Sequence, residues 1–260
     1  PSGGIHRNEL RKSVYASLIE AEKTTRQKGI FIPSIIRVDF DMDGREEYLY
    51  QGQEINAYLH TLGASLFELD HLRKPWNYLD TISRRPEPFH TDEVRAMGYD
   101  RHMRHAFVDH LISKETTLEE FATSSYRELG DFVEGEFGVT DLDKDHSTIS
   151  FGRDGNLSDG KNGGLLRIEK SYSFSRSGLS LSYLLRNDDE RALSFRFAPE
   201  INLSFRSQEV EHLRFSVRTR GSKPTELRPE KQTLDGALEV VFNDLYNGAA
   251  VSVAPEGKAD

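Results

Sequence analysis

The sequence of 260 residues contains no cysteine and no apolar run long enough to span a lipid bilayer. The absence of cysteine excludes disulfide bonds, thiol nucleophiles and thiolate-held zinc or iron–sulfur sites. A transmembrane helix needs about 20 largely apolar residues in succession, so we expect no membrane-spanning segment and no membrane partner. The chain also begins at Pro1 without an initiator methionine, and we expect it to be a piece of a longer protein.

Basic residues are outnumbered as well: 34 Lys and Arg stand against 43 Asp and Glu, which gives a formal net charge of −9. Nucleic acids and anionic membrane surfaces attract proteins through clustered Lys and Arg, so neither is an expected partner. The GxGxxG and P-loop motifs of nucleotide binding and the GxSxG motif of serine hydrolases are also absent. We expect an acidic, cytoplasmic protein with no nucleic-acid partner.

Strand-like alternation is the feature that the chain has in abundance. Short runs such as Leu179–Leu185 and Leu213–Val217 alternate apolar with polar residues and recur almost to the end of the chain. This period of two indicates strands with one buried and one wet face, which is typical of antiparallel sheets. The predicted fold is mainly β, a large antiparallel β-sandwich with an N-terminal helix and a short helical insertion.

One amphipathic helix is predicted ahead of the strands. Leu10, Val14, Leu18 and Ala21 recur at the helical period, so we expect this stripe to be the buried face. Gly29 stands where a helix-ending glycine belongs. We therefore divide the chain into residues 1–28, a helix forming the tail of a preceding helical domain, and residues 29–260, a β-sandwich domain.

The helical insertion is expected between about residue 91 and residue 126, as two short helices or an extended excursion. On a helix, His102, His105, Asp109 and His110 would bring several possible metal ligands to one face. The zinc-protease pattern of two histidines four residues apart with an intervening glutamate is absent. We therefore favour an ordinary surface helix over a metal-binding one.

An acidic turn is the sharpest local motif. In Asp39-Phe40-Asp41-Met42-Asp43-Gly44, alternate carboxylates precede a glycine in the sixth position, so one tight turn can direct three oxygens at a hard cation. Tyr50 stands where an EF-hand would need a glutamate, which indicates a calcium turn between two strands instead. The predicted ligands of a structural calcium ion are Asp39, Asp41, Asp43 and Glu47. The alternative is a solvated acidic turn without a metal.

Aromatic residues next to charged ones indicate a carbohydrate contact. Aromatic faces stack on sugar rings, and neighbouring Arg and Glu side chains can bond the hydroxyl groups. Packing of the single tryptophan in the core is the alternative. Glu68 and Asp70 share one strand face, but the sequence does not bring any carboxylate pair together across a cleft. The predicted substrate-binding residues are Trp76, Tyr78, Arg84, Arg85 and Glu87.

These stretches together resemble glycoside hydrolase family 57, in particular its α-amylases and 4-α-glucanotransferases. Residues 3–22 resemble the last helix of that family's small helical domain, and residues 39–44, 63–70, 77–87 and 197–204 resemble its C-terminal β-sandwich. The resemblance covers nearly the whole chain in order. It implies a twisted supersandwich similar to galactose mutarotase. The family usually has glycine where this chain has Met42.

The resemblance also implies which function to expect. The catalytic Glu and Asp of the family lie in an N-terminal barrel of which this sequence contains no part, so no catalytic residue is carried over. We expect a non-catalytic C-terminal β-sandwich region of an enzyme that acts on α-1,4-glucans. Its expected partners are the catalytic barrel domain of the parent chain and an α-glucan or other carbohydrate.

Two other functions stay open at this stage. The first is a free-standing mutarotase-like enzyme that acts on an aldose through a histidine base and a glutamic acid, for instance His90 or His110 with Glu200. The second is a carbohydrate-binding or purely structural module. Anomeric exchange of glucose would distinguish the enzyme from both non-catalytic alternatives.

Overall fold

The computed structural model describes residues 7–26, 30–88, 90–92, 98–158, 163–206, 211–228 and 230–255. Contacts divide the chain into two compact units, the first built from residues 10–204 and the second from residues 7–9 and those from 205 onward. The predicted boundary between residues 28 and 29, with Gly29 as the end of the helix, lies outside the described residues.

The described part of the chain forms two helices and fifteen strands. The helices are α1 (Asn8–Arg26) and α2 (Leu118–Ala122). The strands of the first unit are β1 (Ser34–Val38), β2 (Glu47–Gln51), β3 (Ile55–His60), β4 (Ser65–His71), β5 (Trp76–Asn77), β6 (Ala106–Ile112), β7 (Gly138–Asp143), β8 (Thr148–Ser158), β9 (Gly163–Phe174), β10 (Leu179–Asn187) and β11 (Arg196–Ile201). Those of the second unit are β12 (Leu213–Thr219), β13 (Thr225–Leu227), β14 (Ala237–Asp244) and β15 (Ala249–Val253).

The first unit contains two antiparallel sheets. The large sheet has seven strands in the order β1-β2-β3-β4-β6-β11, with β5 paired to β4, and the small sheet has the order β10-β9-β8-β7. The second unit is one four-stranded antiparallel sheet, β13-β12-β14-β15. The predicted fold class, mainly β with antiparallel sheets, an N-terminal helix and a short helical insertion, is confirmed.

The core of the first unit lies between the large and the small sheet. Every second residue of β9 from Leu166 to Phe174 is buried, as the period of two requires. Aromatic rings join the two sheets: Tyr50 of β2 stacks on Phe174 of β9 with ring centroids 4.4 Å apart, and Tyr48 meets Phe151 of β8 edge-on at 5.7 Å. This interleaving of side chains makes the two sheets a sandwich.

One charge lies in the middle of this apolar row. Lys170 of β9 is fully buried, and its Nζ lies 2.8 Å from Oδ2 of Asp109 in β6. The same ammonium donates hydrogen bonds to the carbonyls of Gly63 and Phe107, at 2.8 and 2.7 Å, so all three of its donors are used. Asp109 Oδ1 accepts a bond of 2.8 Å from the hydroxyl of Tyr183. Burial lowers the pKa of Lys170 and raises the pKa of Asp109, since each charge has left water.

Helix α1 presents the opposite face to the one that the sequence predicts. Leu10, Val14 and Leu18 are 46, 58 and 59% exposed, whereas Lys12 and Ile19 are buried. The helix is held to the large sheet through polar groups, because Lys12 Nζ donates to the carbonyl of Asn77 at 2.7 Å. The prediction of a buried Leu10 stripe is therefore wrong, although the helix itself is confirmed. No helix in the described residues is both long and apolar enough to cross a membrane.

The histidine-rich segment is a strand, and its prediction as a surface helix is wrong. Residues Ala106–Ile112 form β6, paired with β11 on one side and bridged to β4 on the other. Helix α2 lies in the insertion; its Thr117 N-cap and Glu120 form a capping box. Because a strand alternates its faces, Asp109 and His110 point to opposite sides of the large sheet.

Gly155 is a glycine inside a strand and not in a turn. It lies inside β8 and pairs with Leu166 of β9. A Cβ at this position would lie 2.4 Å from Asp131 Oδ1 and 2.5 Å from Phe132 Cζ. The glycine is required because a neighbouring segment approaches the strand closely, and no chain reversal is involved.

Replacing Lys170 by methionine is expected to destabilise the protein by about 3–5 kcal/mol, because the Asp109 carboxylate is then left buried without its countercharge. Urea unfolding followed by circular dichroism measures the change. The double variant Lys170→Met with Asp109→Leu is the matched control and should recover a large part of the loss, since it buries no charge. If the free energy of unfolding of Lys170→Met lies within about 1 kcal/mol of the wild-type value, Lys170 is not the required countercharge of Asp109.

Candidate functional site

The acidic turn joins β1 to β2 and brings its carboxylates to the outer face of the large sheet. Asp41, Asp43, Glu47 and His60 each offer one ligand atom, and these four atoms lie within 4.8 Å of one another. The ladder between β2 and β3 explains the fourth member, because it pairs Glu47 directly with His60. Cross-strand partners share a face of the sheet, so the imidazole reaches the turn.

Glu47 is the buried carboxylate of this cluster. Its side chain is fully buried, and burial raises the pKa of the carboxyl group. Oε2 accepts the backbone N–H of Phe40 at 2.5 Å, while Oε1 has no hydrogen-bond partner and lies 3.5 Å from His60 Nε2. A buried carboxylate oxygen without a partner is costly. It is the kind of atom that a cation at this position would satisfy.

Asp39 has a different place from the one expected of a ligand. Its Oδ2 accepts the backbone N–H of Gly44 at 3.2 Å, which closes the turn. Gly44 has a φ of +86° and Met42 a φ of +63°, and the Met42 side chain is 89% exposed, pointing away from the carboxylates. The sequence therefore found three residues of the cluster, and His60 was missed because only the register between strands reveals it. Calcium binding stays a prediction.

The aromatic residues predicted to contact sugar are buried. Trp76 is 6% exposed and Tyr78 is 3% exposed. The indole Nε1 donates to the carbonyl of Ser204 at 3.3 Å, and Lys12 Nζ lies 4.5 Å from the centre of the ring. Core packing, the alternative for Trp76, is what the structure shows.

The charged residues predicted beside them have mixed surroundings. Arg84 Nη2 lies 2.7 Å from Oδ1 of Asp100, and Arg104 Nε lies 2.9 Å from its Oδ2. Burial acts to raise the pKa of Asp100, but the hydrogen bonds from both arginines lower it to about 2. Arg85 is exposed, with its Nη2 3.1 Å from Met103 Sδ, and Glu87 is half-buried. Contact of these residues with a sugar stays a prediction.

A second cluster forms where β6, β11 and the segment before β6 meet. Glu200 Oε2 lies 3.0 Å from His110 Nε2 and 3.2 Å from His102 Nε2. His110 is fully buried, and the His102 and Glu200 side chains are 10 and 19% exposed. We call these three residues the His–Glu cluster. The sequence paired His110 with Glu200 only in the mutarotase-like alternative and did not join His102 to Glu200, because the helical interpretation grouped His102 with His105 and Asp109.

Further polar groups hold the His–Glu cluster in place. His110 Nδ1 lies 2.8 Å from Glu128 Oε2 and 3.2 Å from the hydroxyl of Tyr126. Asn202 Nδ2 donates to Glu200 Oε1 at 2.7 Å. Despite burial, which acts in the opposite direction, the two carboxylates raise the pKa of His110 to about 9, and the histidines hold the pKa of Glu200 well below its usual range.

The structure brings together one of the two histidine–glutamate pairs that the mutarotase-like alternative proposed. His110 meets Glu200, whereas His90 Nδ1 lies 3.0 Å from the hydroxyl of Tyr99. A cavity of about 450 Å³ opens beside the first pair. Its lining includes Arg101, His102, Tyr126, Glu128 and Arg153.

Glu68 and Asp70 form a third polar pair on the outer face of β4. Asp70 is 1% exposed; its Oδ2 accepts a bond of 3.3 Å from Asn56, and its Oδ1 has no hydrogen-bond partner. Burial raises the pKa of both carboxyl groups, and the Asp70 carboxylate raises that of Glu68 further. Two neighbouring acids in such a place share a proton rather than ionise together.

Comparison with known proteins identifies the family. Residues 39–96 and 91–259 match the family described as "Alpha-amylase/4-alpha-glucanotransferase, C-terminal". The chain belongs to this family. A 4-alpha-glucanotransferase of Thermococcus kodakarensis is 31% identical over 242 residues, which are 83% of this chain and 34% of that protein. An alpha-amylase of Pyrococcus horikoshii is 27% identical over 226 residues, 80% of this chain and 33% of that protein.

A solved structure of the family agrees with the fold. The crystal structure of 4-alpha-glucanotransferase from Thermococcus litoralis superposes with a TM-score of 0.77 at 26% identity, covering 97% of this chain and 35% of that one. This chain therefore spans about a third of the length of the relatives it matches. The predicted resemblance to α-amylases and 4-α-glucanotransferases is confirmed for family and fold.

Removing one carboxyl group of the Glu68–Asp70 pair is expected to change how stability depends on pH. When folding raises the pKa of a carboxyl group, the protonated group stabilises the folded state at low pH. This stabilisation is lost as the pH rises through the raised pKa, because the unfolded chain releases the proton at a lower pH. Glu68→Gln should therefore gain stability relative to the wild type between about pH 5 and about pH 9, by roughly 1–3 kcal/mol at the upper end.

Urea unfolding at a series of pH values measures this difference. Glu136→Gln, which removes an exposed glutamate, is the matched control and should show the same pH dependence as the wild type. If the free energy of unfolding of Glu68→Gln changes with pH in the same way as that of the wild type, the pair does not hold a proton.

Proposed function

We propose that this chain is a non-catalytic C-terminal β-sandwich region of an α-amylase or 4-α-glucanotransferase that acts on α-1,4-glucans. The observation that carries the proposal is the family match over residues 39–259 in a chain that spans a third of its relatives. On this proposal the sandwich supports the catalytic barrel domain of the parent chain and contacts the glucan.

The exposed apolar stripe of α1 supports the packing role. Leu10, Val14 and Leu18 are about half exposed at 46, 58 and 59%, and they share one helix face. Covering such side chains is favourable by roughly 1 kcal/mol each at half exposure. The rest of the parent chain is the partner to which we assign this stripe.

Exposure limits where the sandwich could contact a glucan. Trp76 and Tyr78 are buried, so their rings can shape a site only from beneath. Arg85 is exposed and Glu87 half-buried, and both are long polar side chains able to bond sugar hydroxyls. We assign the glucan contact to the surface around these two residues.

The mutarotase-like alternative has one specific observation in its favour, the contact of 3.0 Å between His110 and Glu200. A general base or acid works best with a pKa near the operating pH. Here the pKa of His110 is raised to about 9 and that of Glu200 is lowered, so the two form a fixed ion pair instead of a proton-transfer couple. The electrostatics therefore favour the non-catalytic proposal.

Calcium is the cofactor that we propose for the acidic turn. The carboxylates of Asp41, Asp43 and Glu47 supply the hard oxygen ligands that calcium prefers, and the unpartnered Oε1 of Glu47 fits a cation there. His60 Nε2, between 3.5 and 3.8 Å from all three carboxylates, is placed to bond a ligand oxygen. The ion would be structural, tying β2 and β3 to the turn.

The purified chain is expected to leave maltoheptaose unchanged and to leave glucose mutarotation at the blank rate. Amylose in a native gel should retard the migration of the chain. Arg85→Ala and Glu87→Ala should each weaken the retardation, because they remove hydrogen bonds to hydroxyl groups. Arg186→Ala, at an exposed arginine paired with Asp188, is the control and should be retarded like the wild type.

Each of these assays tests one part of the proposal. Cleavage or transfer of maltoheptaose would overturn the non-catalytic assignment, and anomeric exchange above the blank would favour the mutarotase-like alternative. Unchanged mobility in amylose would remove the glucan contact, and retardation that survives both substitutions would place that contact elsewhere.

Calcium is expected to raise the melting temperature and a chelator to lower it, since a ligand present at 100 times its Kd stabilises the native state by about 2.7 kcal/mol. Asp43→Asn should abolish most of this response, because it removes a carboxylate ligand. Asp145→Asn, in another exposed turn, is the control and should respond like the wild type. An equal melting temperature with calcium and with chelator, or a larger rise with manganese than with calcium, would refute the assignment.

A further inference from the structure

Two of the three distances among the ligand atoms of the His–Glu cluster match those of a metal site. Nitrogen and oxygen ligands lie about 2.0–2.2 Å from a zinc-class ion, so two ligands of one ion are roughly 3.0–3.5 Å apart. Glu200 Oε2 lies 3.0 Å from His110 Nε2 and 3.2 Å from His102 Nε2. All three atoms fall within 4.8 Å of one another.

Outer contacts orient these atoms as they do in metal sites. A metal-bound histidine usually donates its other ring N–H to a carboxylate, and a metal-bound carboxylate is itself hydrogen-bonded. His110 Nδ1 faces Glu128 Oε2 at 2.8 Å, and Glu200 Oε1 accepts a bond of 2.7 Å from Asn202. Both contacts leave the inner atoms, His110 Nε2 and Glu200 Oε2, facing each other at 3.0 Å.

The hydrogen-bond roles favour the same conclusion. Glu200 Oε2 is an acceptor, so in the absence of a cation both facing Nε2 atoms must carry protons. His110 then has protons on both nitrogens between two carboxylates. A divalent ion bound by the two Nε2 lone pairs displaces the Nε2 proton of His110 and requires His102 to carry its proton on Nδ1, while the bond from His110 Nδ1 to Glu128 is preserved.

The donor set selects the class of ion. Two imidazoles and one carboxylate suit zinc, iron or cobalt, whereas calcium and magnesium prefer oxygen ligands alone. This separates the His–Glu cluster from the carboxylate-rich acidic turn. Of the three ligands, His102 lines the cavity of about 450 Å³, so we place the fourth coordination position on that side.

We propose that His102, His110 and Glu200 bind a divalent transition-metal ion of the zinc class, with an open coordination position towards the cavity. Glu128 acts through His110 as a positioning residue. The site is independent of the proposed glucan function and of calcium in the acidic turn.

The test uses the full chain, freed of metal with a chelator and titrated with Co²⁺ as a visible probe for zinc. We expect about one Co²⁺ per chain with visible d–d absorption, displaced by Zn²⁺, and a change in that absorption when azide is added. His102→Gln should weaken affinity about 100-fold or more. Glu128→Gln, which keeps all three ligands, should weaken it about 10- to 100-fold.

Two control variants separate this site from others. His146→Gln, at an exposed histidine 2.7 Å from Asp143, should bind Co²⁺ like the wild type, and so should Asp43→Asn in the acidic turn. Binding that is absent, or that is unchanged in both folded His102→Gln and Glu128→Gln, would overturn the proposal in favour of an imidazolium held by two carboxylates. If azide leaves the visible absorption of the bound Co²⁺ unchanged, the ion has no open coordination position.

Discussion

The buried ion pair between Lys170 and Asp109 is the constraint on which the arrangement of the first unit depends. It places a charge at the centre of an apolar sandwich, where an unpaired ion would cost several kcal/mol. The pair is tolerated because the ammonium also reaches the carbonyls of Phe107 in β6 and of Gly63 between β3 and β4, and the carboxylate accepts the Tyr183 hydroxyl. These contacts join the large sheet to β9 and β10 of the small sheet, so the pair ties the two sheets together.

The inward direction of Asp109 also determines what β6 presents on the outer face of the large sheet. Because Asp109 points into the core, the next residue of β6, His110, must point outward. There it meets Glu200 of β11, while His60 of β3 and Glu68 of β4 occupy the same face of their strands. The polar clusters of the molecule are thus consequences of one strand alternation.

The sequence predicted those features that depend on local pattern. The strands followed from the period of two, and Asp41, Asp43 and Glu47 from their spacing in one turn. Features that depend on pairing between distant strands could not be read in this way. His60 joins the turn only through its register with Glu47, and Glu200 reaches His110 only because β11 pairs with β6.

Helix α1 shows a second kind of limit. Its apolar stripe, with Val14 and Leu18, indicated the buried face by the usual rule for an amphipathic helix. The structure buries Lys12 and half-buries Arg11 instead, because Asp80 and the carbonyl of Asn77 offer them partners. A hydrophobicity pattern cannot distinguish a face that packs within the unit from one that awaits a partner.

The two outer clusters differ in a way that follows from their surroundings. The acidic turn gathers carboxylates near water, with one buried oxygen that lacks a partner, so its electrostatic need is for a hard cation. In the His–Glu cluster every charge already has an opposite charge beside it, and the histidine is held by carboxylates on two sides. Such a balanced network moves protons poorly at neutral pH, but its inner atoms keep a fixed geometry. That geometry is what binding a soft-to-borderline metal ion requires, and it is poorly suited to acid–base catalysis.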